Sequence, residues 1–106
     1  MRILFDQGTP APLRRELVGH AISTADEMAW ADLTNGELLN AAEAAAFDLL
    51  ITTDKNLRYQ QNLAGRRLAI LVLPTTSWPK IRQHIPEIIN AVSRIHSAEY
   101  AEVTFK

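Results

Sequence analysis

Hydrophobic residues gather in short unbroken runs, RILF at residues 2–5, LLITT at 49–53 and LAILVL at 68–73, with stretches of helical spacing between them. A strand covered on one face alternates apolar and polar positions, whereas a run without alternation fits a strand covered on both, as in parallel sheets. The pattern therefore predicts an α/β protein, a three-layer α/β/α sandwich around a mostly parallel sheet of about five strands. With 106 residues and no linker-like stretch, a single domain over 1–106 is expected.

After the first strand, Gly8, Thr9 and Pro10 supply a turn, a helix N-cap and a favoured first helical residue. Leu13 and Leu17 share one face of that helix, and Gly19 ends it. AIST at 21–24 is a second strand candidate, followed by an irregular stretch carrying Met28 and Trp30. From Thr34, TNGELLNAAEAAAF places Leu38, Leu39, Ala42, Ala45 and Ala46 at helical spacing. KNLRYQQNLAG reads as a short helix closed by Gly65. Ser77 caps a last helical region in which Ile81, Ile85, Ile88, Ile89, Val92 and Ile95 form one stripe, divided by Pro86 into two segments. The tail YAEVTF alternates, with Ala101, Val103 and Phe105 on one side, as a half-exposed edge strand does.

Composition narrows the class. Hydrophobic residues at 47% against 22% charged suit a packed core rather than disorder. The apolar runs are too short to cross a bilayer and a charge arrives too early for a secretory leader, so a cytoplasmic protein without a membrane partner is expected. Zero cysteines exclude disulfides and thiolate-bound zinc, which leaves oxygen or imidazole ligands for any metal. A formal net charge of -1 argues against general affinity for nucleic acid and leaves local basic patches as the route to it.

Asp6 and Asp54 both follow strand candidates. Ligands of open parallel sheets bind beyond the carboxyl ends of the strands, where strand order reverses. Each nearby acid also has a structural explanation: an Asx turn ahead of Gly8 for Asp6, an N-cap for Asp54, and the capping box T-x-x-E from Thr34 to Glu37. If strands one and three end on one edge and helix two starts there, Asp6, Glu37 and Asp54 converge. Their repulsion would then call for Mg²⁺ or Mn²⁺, which prefers carboxylate and water oxygens and leaves positions open for phosphate and water. Such a metal supplies what phosphodiester hydrolysis needs.

Around these acids, Asn35 and Asn56 are further candidate ligands or water holders, and Asn56 shares a helix face with Gln60. Lys55, Arg58, Gln60 and Arg14 are candidates for contact with substrate phosphates. For Arg66 and Arg67 an ordinary solvated face is the better account. His20, His84 and His96 show no metal-ligand spacing. Trp30 and Trp78 suit core or sheet-edge cover, whereas exposure of Met28 and Trp30 would mark a protein contact.

RILFDQGTPAPLRREL, NGELLNAA and LLITTDKNL resemble, in order, three segments of the small PIN-like proteins, relatives of VapC-type toxins. The resemblance covers roughly the first 60 residues well and the rest loosely. It implies a PIN-like α/β/α fold, a Mg²⁺- or Mn²⁺-dependent ribonuclease site built from clustered acids, and an antitoxin partner, with homodimers common among relatives. Asp6 and Asp54 match the family acids. Asn35 stands where relatives carry an acid at the start of helix two, with Glu37 as substitute, and Asn56 stands where they carry a second acid beyond Asp54.

Three readings follow. The first is a bacterial-type toxin endoribonuclease that cleaves RNA, with Asp6, Glu37 and Asp54 as catalytic metal-holding acids. The second is a catalytically silent PIN-like interaction module. The third is a receiver-like phosphoacceptor domain with Thr75 after strand four, though Asp6 has no acidic neighbour and no lysine follows a fifth apolar strand as such a domain requires.

Overall fold

The unbroken apolar runs become the middle of a sheet. In the computed structural model, which describes residues 1–60 and 62–105 apart from the side chain of Gln60, the strands are β1 (Arg2–Phe5), β2 (Ala21–Thr24), β3 (Leu49–Thr52), β4 (Ala69–Val72) and β5 (Tyr100–Glu102). They form one five-stranded sheet in the order β2-β1-β3-β4-β5, and every pairing is parallel. Register sets Phe5 against Ile51 and Ile51 against Leu71, so all carboxyl ends lie on one edge.

Successive side chains of a strand point to opposite faces, and both faces are covered. Ile3, Phe5, Leu49, Ile51 and Leu71 pack on one side against a 3-10 helix (Ala11–Glu16), α3 (Trp78–Arg82) and α4 (Ile85–Arg94) through Leu13, Ile81, Ile88 and Val92. Leu4, Leu50, Ile70 and Val72 pack on the other against α1 (Asn35–Ala44) and α2 (Leu57–Gln60) through Leu38, Leu39, Ala42 and Leu57. These are the three expected layers. The tail behaves as its alternation requires: Ala101, Val103 and Phe105 pack with the first cluster and Tyr100 with the second.

Several local expectations need correction. The first helix is 3-10, with i to i+3 bonds from the Leu13 and Leu17 amides to Pro10 and Arg14. Thr9 does not cap it, because its buried hydroxyl donates instead to the Ile51 carbonyl at 2.8 Å; Pro10 stands at the N-cap with no side-chain bond. Ala46 lies beyond α1 in the left-handed region at φ 63°, which stops the alanine run two residues after Ala44. Pro86 sits in the first turn of α4, where its missing N–H costs nothing, and the break falls before it at residues 83–84. Ile89 leaves the stripe and is 45% exposed.

Met28 and Trp30 are partly buried on the second face, Trp30 edge-on to Phe47 with ring centroids 6.0 Å apart. Trp78 packs on the first face. Among the described residues no helix is long and apolar enough to cross a membrane.

Candidate active site at the carboxyl edge of the sheet

Strand order reverses between β1 and β3. The chain leaves β1 towards the 3-10 helix on one face and β3 towards α2 on the other, the switch point at which open parallel sheets carry a crevice over the two strand ends. Asp6 and Asp54 stand there. The Asp6 amide extends the ladder with a bond to the Ile51 carbonyl at 3.0 Å, placing Asp6 level with Thr52. The buried Thr52 hydroxyl donates to Asp6 Oδ2 at 2.7 Å and accepts the Asp54 amide at 3.1 Å. One side chain thus ties both acids to the end of β3.

The remaining carboxylate oxygens are held as well. Asp6 Oδ1 accepts the Gln7 amide at 2.7 Å, and Asp54 Oδ1 accepts the Asn56 amide at 2.9 Å in an Asx turn. Asp54 is therefore not the side-chain N-cap of a helix starting at its neighbour; α2 begins only at Leu57. Asn35, the first residue of α1, donates its amide to Asp54 Oδ2 at 3.1 Å. Each carboxylate oxygen takes one hydrogen bond in these contacts, and an ionised carboxylate has about four acceptor sites.

Glu37 does not join them. Its Oε1 accepts the Thr34 amide at 2.9 Å while the Thr34 hydroxyl accepts the Glu37 amide, a complete capping box. Those bonds to Thr34 hold its carboxyl below the usual range. The expected three-acid cluster is thus not formed: among the described residues no three Asp, Glu or His side chains are grouped to hold a cation. What converges is Asp6, Asp54, Asn35 and Thr52, in which the two carboxylates carry the negative charge while the Asn35 amide and the Thr52 hydroxyl donate hydrogen bonds to them. Asp6 and Asp54 are the residues that could hold a cation such as Mg²⁺, which commonly takes one or two carboxylates from protein and keeps water and substrate oxygens.

The basic candidates divide. Arg14 is bound to Glu27 and donates to the Ile22 carbonyl at 3.2 Å, so it braces the 3-10 helix against β2 instead of facing the crevice. The Arg58 guanidinium lies 4.9 Å from the Tyr59 ring centroid, 5.4 Å from that of Tyr100 and 4.0 Å from Glu102. Arg66 donates to Asn40 at 2.9 Å. Lys55, next to Asp54, is exposed and lines a cavity over the ends of β4 and β5. The side chain of Gln60 lies outside the described part.

Gly8 closes the crevice tightly. A Cβ there would stand 2.3 Å from Thr53 Oγ1, so the Thr53 hydroxyl, in the loop after β3, occupies the space that a side chain at Gly8 would need. A second cavity, over β1 and β2, runs from Asp6 past Thr9 to Asp26. Thr75 borders the first cavity and Thr76 the second, so the loop after β4 forms a ridge between them.

Sequence reasoning missed two residues at this edge, and Tyr100 at the start of β5. Thr52 was within reach, because aligning RILF with LLIT as buried neighbours sets Asp6 beside it. Lys80 gave no signal, since its place depends on how α3 docks. Tyr100 was read only as an edge-strand position; its buried hydroxyl has no hydrogen-bond partner among the described residues, and burial, with Glu102 adding to it, pushes its pKa up. Compared with family models, curated proteins and solved structures, the chain finds no match.

Proposed function

We propose that the chain is a metal-dependent ribonuclease of the PIN-like kind, with Asp6 and Asp54 as its metal-holding acids. The observation that carries this reading is that one buried hydroxyl, that of Thr52, holds both the Asp6 carboxylate and the backbone amide of Asp54 at the reversal point of the sheet. Turn formation alone would account for each acid separately but not for a shared buried hydroxyl between them.

In this reading Thr52 fixes Asp6, and Asn35 with the Asn56 amide fixes Asp54, so that both present their free lone pairs to the crevice. Mg²⁺ or Mn²⁺ bound there would stabilise charge on a phosphodiester and lower the pKa of its water. Lys55, exposed next to Asp54, meets a phosphate of the substrate neighbouring the one at the acids. Glu37 serves the helix and holds no metal. The toxin setting and a protein antitoxin rest on the resemblance alone.

A second reading, the silent interaction module, draws on one observation: the third acid is spent on the capping box. Incubation with a structured RNA and Mn²⁺ separates the two. Cleavage that disappears in both Asp6→Asn and Asp54→Asn supports the nuclease, whereas equal cleavage by wild type and both variants, or none by any of them, removes it.

A further inference from the structure

Beside the acid pair, the ends of β4 and β5 and helix α3 border an open cavity of about 480 Å³, within the roughly 300–1,000 Å³ typical of small-molecule sites. Pro74 and Phe105 give it an apolar wall, and Lys55 and Lys80 stand on its rim. Neither lysine is ion-paired among the described residues. The acid that lines it, Glu102, is met by Arg58 at 4.0 Å. Thr75 Oγ1 accepts the Ser77 amide at 3.0 Å, which leaves its own hydroxyl proton to donate.

Two uncompensated ammonium groups over an apolar wall match an occupant with an anionic end and a flat, weakly polar body. Inorganic phosphate would leave the wall uncovered. A neutral nucleoside would leave both lysines without a counter-charge. We infer that this cavity is a mononucleotide subsite, which seats base and sugar against Pro74 and Phe105 and takes the phosphate between Lys55, Lys80 and the Thr75 hydroxyl. The inference rests on the nuclease reading for its role: Lys55 adjoins Asp54, so the seated nucleotide is a neighbour of the phosphodiester presented to the acids.

The test is calorimetric titration of the protein in EDTA with adenosine 5′-monophosphate, adenosine and inorganic phosphate, repeated on Lys80→Gln and Lys55→Gln. Both lysines are exposed, so the fold should survive either change, and circular dichroism checks that it does. Saturable binding of the monophosphate is expected, at least about tenfold tighter than that of adenosine or phosphate and about tenfold weaker in each variant, as for loss of one charge-assisted hydrogen bond. No saturable binding, binding indifferent to both substitutions, or phosphate binding as tightly as the monophosphate would overturn the assignment. Because EDTA removes the cation, failure here leaves the cleavage reading intact. Loss of the cleavage reading, conversely, leaves the binding result standing.

Discussion

The hydroxyl of Thr52, fully buried at the end of β3, donates to Oδ2 of Asp6 at the end of β1 across 2.7 Å. Neither residue reaches the other through the chain, from which 46 positions separate them. Parallel pairing of β1 with β3 brings them level, and the same oxygen receives the Asp54 amide. The sheet register is thus what brings two acids distant in sequence to neighbouring strand ends.

Replacing Thr52 by valine keeps the branched shape but removes the donor to Asp6 and leaves the Asp54 N–H unpaired. A loss of about 1–3 kcal/mol is expected in urea unfolding, together with weaker cation binding. A change below about 0.5 kcal/mol, the usual effect of a neutral surface substitution, would mean that the hydroxyl does not brace the acids.

Gly8 is predicted to be needed for space and not for backbone freedom. Gly8→Ala should cost about 1–3 kcal/mol through the clash with Thr53 Oγ1. The double variant Gly8→Ala with Thr53→Ala should regain most of it, since the nearest remaining atoms lie 3.7 Å away, ordinary contact. Thermal melts of wild type and the two variants read this directly, and the absence of any rescue would point to another cause.

Ala46 holds a left-handed conformation, φ 63°, at an exposed position just past α1. Alanine is strained there and glycine is not. Ala46→Gly should therefore stabilise the protein by up to about 1 kcal/mol, although glycine within a helix would destabilise it by a similar amount. A lowered melting temperature would contradict the closure of α1 at this residue.

These positions show what the sequence could and could not convey. Layering and parallel pairing were legible because burial on both faces removes alternation from RILF, LLIT and AILV. The end of α1 was not, because AAEAAAF carries no glycine and the chain turns at an alanine. Thr9 was misread since a threonine before proline looks like a cap, while its hydroxyl is drawn to a buried carbonyl that only the fold brings near. At the site, Asp6 and Asp54 were visible as acids after strands, and Glu37 was correctly seen to have a capping box. What spacing could not decide is which of its two roles wins, since the local bonds to Thr34 occupy the side chain in place.

Acid should probe a different pair. Glu27, bonded to Arg14 and to the Thr24 amide and hydroxyl, has its pKa lowered from 4.5 to about 2, the Arg14 hydrogen bond being the largest cause. A carboxyl with a depressed folded pKa contributes stability that is complete above its unfolded value and is lost as pH falls through the folded one. Wild type should thus lose stability between about pH 4.5 and pH 2 in excess of Glu27→Gln. Parallel acid profiles of the two proteins would contradict the pairing.

The most direct measurement is calorimetric titration of the metal-free protein with Mn²⁺, beside Asp6→Asn, Asp54→Asn and Glu37→Gln. Glutamine can replace glutamate in a capping box, so the third variant keeps its fold. One saturable site is expected, weakened about tenfold or more by either aspartate change, as for loss of a charged ligand, and unaltered by Glu37→Gln. No saturable binding, or binding that ignores both aspartate changes, would contradict the assignment of Asp6 and Asp54 to the metal.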